Sequence, residues 1–567
     1  MSQAPSAGRL LSRLASLAVT AAVVVLSACG PAAPASPPAT TPAPTVAPAG
    51  PTVAAAAPTP AAAAPTTAAA ASAGNATPGG TMTIINGSDI RSWDPALTGG
   101  TFPGGPMDEL DAVYGFLVYV DVNGTVTGSM AKSLTSTDGI TWTLKLRDGI
   151  KFTDGNPYDA AAVKFNWDRT VDPATAAPTQ AWVASWNDGL TVVDPTTLTI
   201  KLPAADADFA SKIAHLAPFI ASPAALRAAA TKTDIKPVGA GPFLLQTWDQ
   251  GVSMTLTRNP AYWDQPRPYL DTLKFVIIPE TNSRIATVVQ GGAQMMAGYP
   301  YQFGTNTTAP GVGTIEIPIP GINRAYFNHA SGIFSDVRAR QAFWQAIDRT
   351  KLMQAFTQTD LYPAPTTYFP QNSPYYDAAL SFPAYDPATA QSLIDALAAE
   401  GKQFNIKLVS NNNSDVKRLD EYIQQTLSSY KGVTVTLSQI DDGQIPQVCG
   451  QQHAFDICFE GGVLVANGPQ PVTSDLLRST GVTNWGQYKS SAMDEALAEA
   501  SATVDPARAK AAYQKVQQLL MQDLPIYIFG RQTRSLLARD TTGGVVPSDG
   551  GILQKQFLFV CPQACVR

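Results

Sequence analysis

Apolar and polar residues alternate strictly in three early segments of the chain, which is typical of β-strands with one buried face. In Thr141–Leu146 the tryptophan and both leucines fall on one side, and the threonines and lysine fall on the other. Two further segments repeat this period: Leu198, Ile200 and Leu202, and then Val252, Met254 and Leu256. Alternation of this kind favours antiparallel or mixed sheets.

Later segments have the apolar spacing of helices. Asp386 is a typical N-cap, Pro387 suits the first helical position, and Gly401 suits the end of the same helix. Asp505-Pro506 predicts the start of a second helix, and Asp336–Phe356 predicts a third. The predicted buried faces are, in turn, Ala390, Leu393, Ile394 and Leu397; Tyr513, Val516 and Leu520; and Ala339, Phe343, Ala346 and Ile347.

Helices and strands alternate between residues 387 and 440, which indicates an α/β layer. The capped helix is followed by a strand at Asn405–Ser410, a helix at Val416–Tyr430 and a strand at Val433–Gln439. Strand-rich sequence therefore precedes an α/β region. Because residues 81–567 form too long a stretch for one compact core, we expect two unlike α/β lobes.

The N-terminus has the pattern of an export signal. Arg9 and Arg13 precede an apolar run, Leu14–Leu26, that is too short to span a bilayer comfortably. The run ends in Leu26-Ser27-Ala28-Cys29, which resembles a bacterial lipobox, so residues 1–28 are a predicted signal peptide and Cys29 a predicted lipid anchor. An ordinary signal peptide followed by a chance cysteine is the alternative.

A stretch without charged residues follows, from Gly30 to about Gly80, and consists almost wholly of alanine, proline, threonine and glycine. Such a composition cannot bury enough apolar surface to offset chain entropy. We expect residues 29–80 to be a disordered linker that holds a folded module away from the membrane. A tether without any spacing role is the alternative.

Charge and hydropathy exclude several classes of partner. The formal net charge of −6 becomes −8 without residues 1–28, and no run of lysine or arginine is present, so nucleic acid is not an expected partner. No later apolar stretch approaches the length of a membrane helix. Nor does a short internal repeat occur.

Four cysteines follow Cys29, and an even number in an exported chain favours disulfides. Four cysteines allow three pairings, of which the sequence-local one is the simplest: Cys449 with Cys458, and Cys561 with Cys565. A metal site of Cys449, His453 and Cys458 is the alternative, but it lacks a recognisable fourth ligand. We therefore expect neither a metal nor a cofactor.

Five sequence blocks, in order, resemble the family 5 extracellular solute-binding proteins, which include the oligopeptide, dipeptide and nickel binders. The glycines, prolines and arginines in these blocks have turn or scaffold roles, and we do not assign them to a ligand site. The blocks are Trp142–Pro157; Pro237–Phe243; Arg258–Trp263; Phe334–Ala342 with Ala346–Arg349; and Tyr385–Pro387 with Ala390 and Leu393.

The resemblance implies a two-lobed clamp of the periplasmic-binding-protein type (class II, cluster C), with an extra subdomain in lobe I. Such proteins close on their ligand by hinge motion. By analogy, lobe I contains residues 81–320 and 525–567, with 125–235 as its inserted subdomain, and lobe II contains 321–524. Pro318, Pro320, Gly321 and Pro525 lie near the two predicted crossings.

One departure from the family pattern bears on the ligand. Peptide-binding members use an aspartate in lobe II to pair with the peptide ammonium, and the matching position here is Asn467. An amide supplies no opposing charge, although Asp456 or Glu460 could compensate. The resemblance therefore implies a ligand that needs no positive charge, and we expect a neutral or weakly charged one.

Aromatic residues in polar or glycine-rich segments are candidates for the cleft, because binding sites combine aromatic faces with a few fixed polar groups. Trp485 and Tyr488 follow the Asn467 segment and are the first candidates. Tyr114 and Tyr299 are candidates from lobe I. For each of them the alternative is simple packing under a loop.

The resemblance implies a substrate-binding component of an ABC importer. Its expected partners are a small solute, the permease subunits and the bilayer that holds Cys29, and we expect a monomer. A sensor with the same clamp is an alternative. An enzyme is a weaker one, because the three histidines lie far apart, no nucleophile, zinc or phosphate-loop motif occurs, and Asp441-Asp442 lies in a turn-like run.

Overall fold

A computed structural model describes residues 76, 78–90, 92–97, 107–229, 231, 235–304, 309–359, 362, 364–371, 373–464 and 472–565. All structural statements below concern these residues. The predicted signal peptide, Cys29, most of the predicted linker and Asn467 lie outside the described residues. Within the described part of the chain, no helix is long and apolar enough to cross a membrane.

Eighteen strands are described in chain order. They are β1 Thr81–Asn86, β2 Val118–Val120, β3 Val126–Gly128, β4 Ala131–Thr135, β5 Thr141–Leu146, β6 Leu190–Asp194, β7 Thr197–Lys201, β8 Phe243–Asp249, β9 Ser253–Arg258, β10 Thr272–Ile277, β11 Met295–Gly298, β12 Val312–Phe327, β13 Phe404–Asn411, β14 Val433–Ile440, β15 Ile457–Leu464, β16 Ile526–Arg539, β17 Thr542–Gly543 and β18 Phe559–Val560.

Fourteen α-helices are described between these strands along the chain. They are α1 Met107–Tyr114, α2 Ala160–Val171, α3 Gln180–Asn187, α4 Phe209–Leu216, α5 Pro223–Ala228, α6 Thr281–Val289, α7 Pro300–Phe303, α8 Val337–Ala346, α9 Arg349–Thr357, α10 Pro387–Ala399, α11 Ser414–Ser428, α12 Val472–Leu477, α13 Ser491–Ala502 and α14 Pro506–Asp523.

One ten-stranded sheet runs through most of the fold, in the order β14-β13-β15-β12-β16-β11-β1-β10-β9-β8. Two groups of strands in it are parallel: β1 with β10 and β11, and β13 with β14 and β15. Between the two groups lie the long antiparallel strands β12 and β16. A separate four-stranded antiparallel sheet has the order β4-β5-β7-β6.

Three large apolar cores, and a smaller cluster that includes Ile85 and Phe303, lie in the described part of the molecule. The first core lies under β1, β8–β11 and the end of β16, and includes Met82 and Phe275. The second core surrounds β12–β15 and the start of β16, and includes Trp344 and Tyr527. The third, which we call the inserted core, lies between the four-stranded sheet and α2–α4 and includes Trp167. The predicted α/β fold with two lobes and an added subdomain is confirmed.

Most of the predicted elements are present. Trp142, Leu144 and Leu146 are buried on one face of β5. Asp386 caps α10, because its carboxylate accepts the amide of Thr389. The α/β alternation after residue 387 is also present, as α10, β13, α11 and β14.

Two local predictions were wrong. The helix expected at Asp336–Phe356 is two helices, α8 and α9, because Ile347 is extended and the Asp348 carboxylate accepts the amides that begin α9. Val252 was expected to be buried in a strand, but it is 54% exposed in the turn before β9. A local N-cap and a local turn override the apolar spacing at these two places.

Candidate functional site

The two long strands connect the two large cores. Ile317 of β12 and Leu536 of β16 belong to the first core, whereas Ile322 and Ile528 belong to the second. The pairing shifts register between Ile317 and Gly321, so the chain segment 318–320 faces a single residue of β16. We call this point the crossing. Proline has no amide hydrogen, so Pro318 and Pro320 suit a break in the ladder.

The crossing on β16 lies near residue 532, because Gly321 pairs with Gln532. Residues 526–529, which the sequence assigned to lobe I, pack in the second core. We therefore propose a boundary about seven residues beyond the predicted Pro525. The first crossing stays a prediction at 318–321, the segment in which the β12–β16 pairing shifts register.

The carboxyl ends of both parallel groups point towards the crossing. Gly298, the last residue of β11, pairs with Ser535 of β16, and Leu464, the last residue of β15, pairs with Gly321 of β12. The other strands of each parallel group run in the same direction as β11 or β15, so their carboxyl ends lie on the same side. In open α/β sheets, ligands bind outside the carboxyl ends of the strands. The candidate site is therefore the cleft between these two sets of strand ends.

Tyr299 and Tyr301 follow β11 directly on the first side of the cleft. Their rings are stacked, with centroids 5.5 Å apart and planes 10° apart. The Tyr301 hydroxyl donates to Asp415 Oδ2 at 3.2 Å, in the first turn of α11, and its ring contacts Phe356 of the second core. Burial raises the pKa of Tyr301, which keeps the hydroxyl protonated as a donor. The tyrosine pair thus joins the two lobes beside the crossing.

Arg531 lies one residue before the crossing on β16. Its Nη1 and Nη2 donate to the carbonyl oxygens of Tyr368 and Thr367, both at 2.6 Å. Burial lowers the pKa of the guanidinium to about 10. It remains charged, and no carboxylate of the described residues forms an ion pair with it. A fixed, partly desolvated cation at this place can accept an anionic group.

The surroundings of Arg531 connect it to the start of α12. The hydroxyl groups of Tyr368 and Thr473 are 3.1 Å apart, and Thr473 follows Asn467 by six residues. A second arginine, Arg324 of β12, is 1% exposed and donates to the Tyr326 hydroxyl at 2.6 Å. Sequence reasoning did not select Arg324, Arg531, Tyr301 or Tyr368. The signal that could have found the two arginines is a charge within an apolar strand pattern.

Trp485 and Tyr488 lie at the other end of the second lobe. Gly486, which lies between them in the sequence, fixes this position. Its carbonyl accepts a hydrogen bond at 2.8 Å from the amide of His329, just beyond β12. Trp485 packs on Tyr326, with ring centroids 5.4 Å apart. The Tyr488 hydroxyl donates to Asp523 at 2.5 Å. The structure therefore does not bring these two aromatics to the strand ends that form the cleft.

A polar cavity of about 440 Å³ accompanies Tyr488 at that distant end, lined also by His329, Arg340 and Asp523. Burial lowers the pKa of His329 to about 4, so its neutral ring donates through Nε2 to the Pro525 carbonyl. Arg340 donates to the carbonyls of Asp523 and Phe334. These contacts tie helix ends together and indicate a scaffold.

The remaining predicted residues have these positions. Tyr114 is fully buried in the first core and its hydroxyl donates to the Trp93 carbonyl at 2.6 Å, so it offers no surface to a solute in this conformation.

The structure has the sequence-local cysteine pairing, Cys449–Cys458 and Cys561–Cys565. Within the described residues, no group of three or more histidine, cysteine, aspartate or glutamate side chains could hold a metal ion.

The sequence profile of the bacterial extracellular solute-binding proteins, family 5, matches residues 125–484. The chain belongs to this family. The glutathione-binding protein GsiB of Escherichia coli K12 is a relative of this solute-binding protein, 29% identical over 484 residues, which are 83% of this chain and 93% of GsiB.

Solved structures share the fold of this solute-binding protein. The substrate-binding protein CtaP of Listeria monocytogenes superposes with a TM-score of 0.75 at 22% identity, over 85% of this chain and all of CtaP. NikA of Brucella suis, solved with Fe(III)-EDTA, gives 0.74 at 21% identity, over 85% and 100%. The family expected from the sequence is confirmed, and with it the role of a substrate-binding component of an ABC importer. The relatives are solute-binding proteins, not enzymes.

Proposed function

We propose that this protein, held at the membrane by a lipid on Cys29, captures a small peptide-like solute that carries a carboxylate. It acts as a monomer and delivers the solute to the permease of an ABC importer. The observation that supports this proposal best is the convergence of two sets of parallel strand ends on one crossing. A cleft between two lobes joined by neighbouring strands can close around a ligand.

The charge at the cleft supports a solute with an anionic group. Arg531 is held in place by two carbonyl groups, and no described carboxylate neutralises it. In the sequence, Asn467 stands where peptide-binding members have the acid that would favour an ammonium group. Glutathione has two carboxylates and is the solute named for the GsiB relative. We therefore propose glutathione, or a short peptide of similar charge, as the first solute to test.

Titration calorimetry with glutathione tests this proposal. We expect saturable binding of one molecule per chain, no chemical turnover, and a smaller radius of gyration on binding as the lobes close. Bound ligand at a hundredfold excess over its Kd stabilises the fold by ~2.7 kcal/mol, which a thermal melt detects. If glutathione and a panel of di- and tripeptides all fail to bind, the proposed solute class is wrong.

The lipid anchor has its own test. Replacing Cys29 by alanine removes the predicted site of acylation, and more than one acyl chain is needed for stable attachment. We expect the wild-type protein in the membrane fraction and the Cys29→Ala protein in the soluble fraction. Replacing Ser27 by alanine leaves the cysteine in place and serves as the control. A variant that stays with the membrane after a salt wash would contradict the anchor.

A further inference from the structure

The inserted subdomain touches the second lobe far from the crossing. The Ala207 amide, before α4, donates to the Ser501 carbonyl at the end of α13, at 2.6 Å. Beside this bond, Val504 lies against Gly139, with its Cγ1 3.5 Å from where a Cβ would stand. Ala207 and Gly139 belong to the inserted subdomain, and Ser501 and Val504 belong to the second lobe. The two lobes are therefore joined by the strands at the crossing and are also in contact here.

Charged groups from both sides gather at this second contact. Lys212 forms an ion pair with Asp206 at 2.6 Å, and both side chains are mostly buried. The charge of Lys212 also acts on Asp208 of its own subdomain and on Asp475 of the second lobe. We call the group of Asp206, Asp208, Lys212 and Asp475 the acidic latch.

The elements packed against the latch contribute few balancing charges. Arg478, which directly follows α12, acts on Asp475. In the segment before α10, burial and then the nearby Asp208 carboxylate raise the pKa of the Tyr375 phenol. Its neighbour Asp377 accepts a hydrogen bond from Gln514. Three carboxyl groups of the latch thus share one lysine inside the contact and one arginine at its edge.

Burial in this contact favours the neutral form of two of the carboxyl groups. Desolvation raises the pKa of Asp208 to about 7 and the pKa of Asp475 to about 6. Asp208 Oδ2 is buried and has no hydrogen-bond partner among the described residues. Asp208 adjoins Ala207, which makes the hydrogen bond to the second lobe, and its carboxylate acts on Tyr375 of that lobe. Asp475 in turn lies within range of Lys212 of the inserted subdomain. We expect separation of the lobes to return both carboxyl groups to water. Their pKa values then fall towards those of ordinary aspartates.

We propose that the acidic latch couples closure of the clamp to the uptake of a proton, so that the lobes close more readily as the pH falls. The sign follows from linkage: a carboxyl group that binds its proton more tightly in the closed state stabilises that state at low pH. This stabilisation is lost as the pH rises through the range of about 6 to 7 in which the closed-state groups ionise. The solute cleft and the latch are separate parts of the molecule.

An interlobe distance measured without solute tests the proposal, so it does not depend on the identity of the solute. Spin labels at Thr191→Cys in the inserted subdomain and Glu495→Cys in the second lobe, both exposed positions, report the separation by pulsed electron resonance. The full chain with Cys29→Ala avoids a third thiol. Between about pH 8 and about pH 5.5 we expect the ratio of closed to open molecules to rise about tenfold. Identical distance distributions at the two pH values would overturn the proposal.

Variants separate the latch from a general effect of pH. Asp208→Asn keeps the shape of the side chain but cannot ionise, so we expect a high closed fraction at both pH values. Asp188→Asn, on the surface of the same subdomain, should behave like the parent protein. Asp475→Asn tests the second lobe and should also weaken the pH dependence. It keeps the proposal testable if Asp208→Asn does not fold. If both variants keep the full pH response, the latch is not its source.

Discussion

Replacing Arg531 by methionine is expected to weaken glutathione binding by about 2–4 kcal/mol, or roughly 30-fold to 1,000-fold in Kd. The guanidinium is fixed by two carbonyl groups beside the crossing, so a carboxylate that binds there meets a positioned donor pair. Methionine keeps much of the side-chain volume but removes the charge and the donors. Calorimetry on the purified variant measures the loss.

Arg349→Met is the matched control for Arg531→Met. Arg349 donates to the Pro365 carbonyl at 2.6 Å, so it supports the same segment from the helical side. A change in that segment alone would affect both variants equally. We expect Arg349→Met to bind glutathione within about threefold of wild type. Equal losses in the two variants would assign Arg531 to the scaffold and remove it from the binding site.

Replacing Arg169 by methionine is expected to lower the free energy of unfolding by about 3–5 kcal/mol, because it leaves a buried carboxylate without its partner. Arg169 on α2 donates to both oxygens of Asp94, at 2.7 and 2.6 Å, and the Asp94 side chain is fully buried. This pair ties the inserted subdomain to the segment that follows β1. Denaturant unfolding followed by circular dichroism measures the change.

Two further variants show whether the loss of stability in Arg169→Met comes from the unpaired carboxylate. Lys164→Met breaks an exposed ion pair with Asp168 on the same helix and should cost less than about 1 kcal/mol. In the double variant Asp94→Asn with Arg169→Met, no unpaired charge stays buried, so part of the stability should return. A double variant as unstable as Arg169→Met would mean that lost packing, and not the isolated carboxylate, causes the effect.

Much of the fold could be predicted from interactions between residues that are close in the sequence. Strand alternation and N-cap chemistry depend on neighbouring residues, so β5 and the start of α10 could be placed from the sequence. The break at Ile347 could not, because an apolar residue at the end of a helical face has the same spacing whether the helix continues or stops. The family pattern supplied the two lobes, which periodicity alone does not.

The candidate site was predicted less well, because it depends on long-range pairing. Trp485 was chosen because it follows the Asn467 segment in the sequence. In the folded chain it lies at the amino end of β15, where it packs on Tyr326. Arg531 is a candidate only through its place beside the crossing, which follows from the pairing of β12 with β16. Tyr299 was chosen for its glycine-rich surroundings, and its partner Tyr301 and the contact with Asp415 are properties of the folded chain.

The strand order also has a consequence for the time at which the protein can fold during synthesis. β11 is bonded on one side to β1 and on the other to β16, whose residues 535–538 lie near the end of the chain. The first lobe therefore stays without its central neighbour until β16 has been made, although β1 and β8–β11 are complete some 240 residues earlier. Such late, long-range pairing is slow and leaves strand edges exposed. We expect the first lobe of a nascent chain to remain open, and so able to pass unfolded through a narrow channel, until β16 emerges.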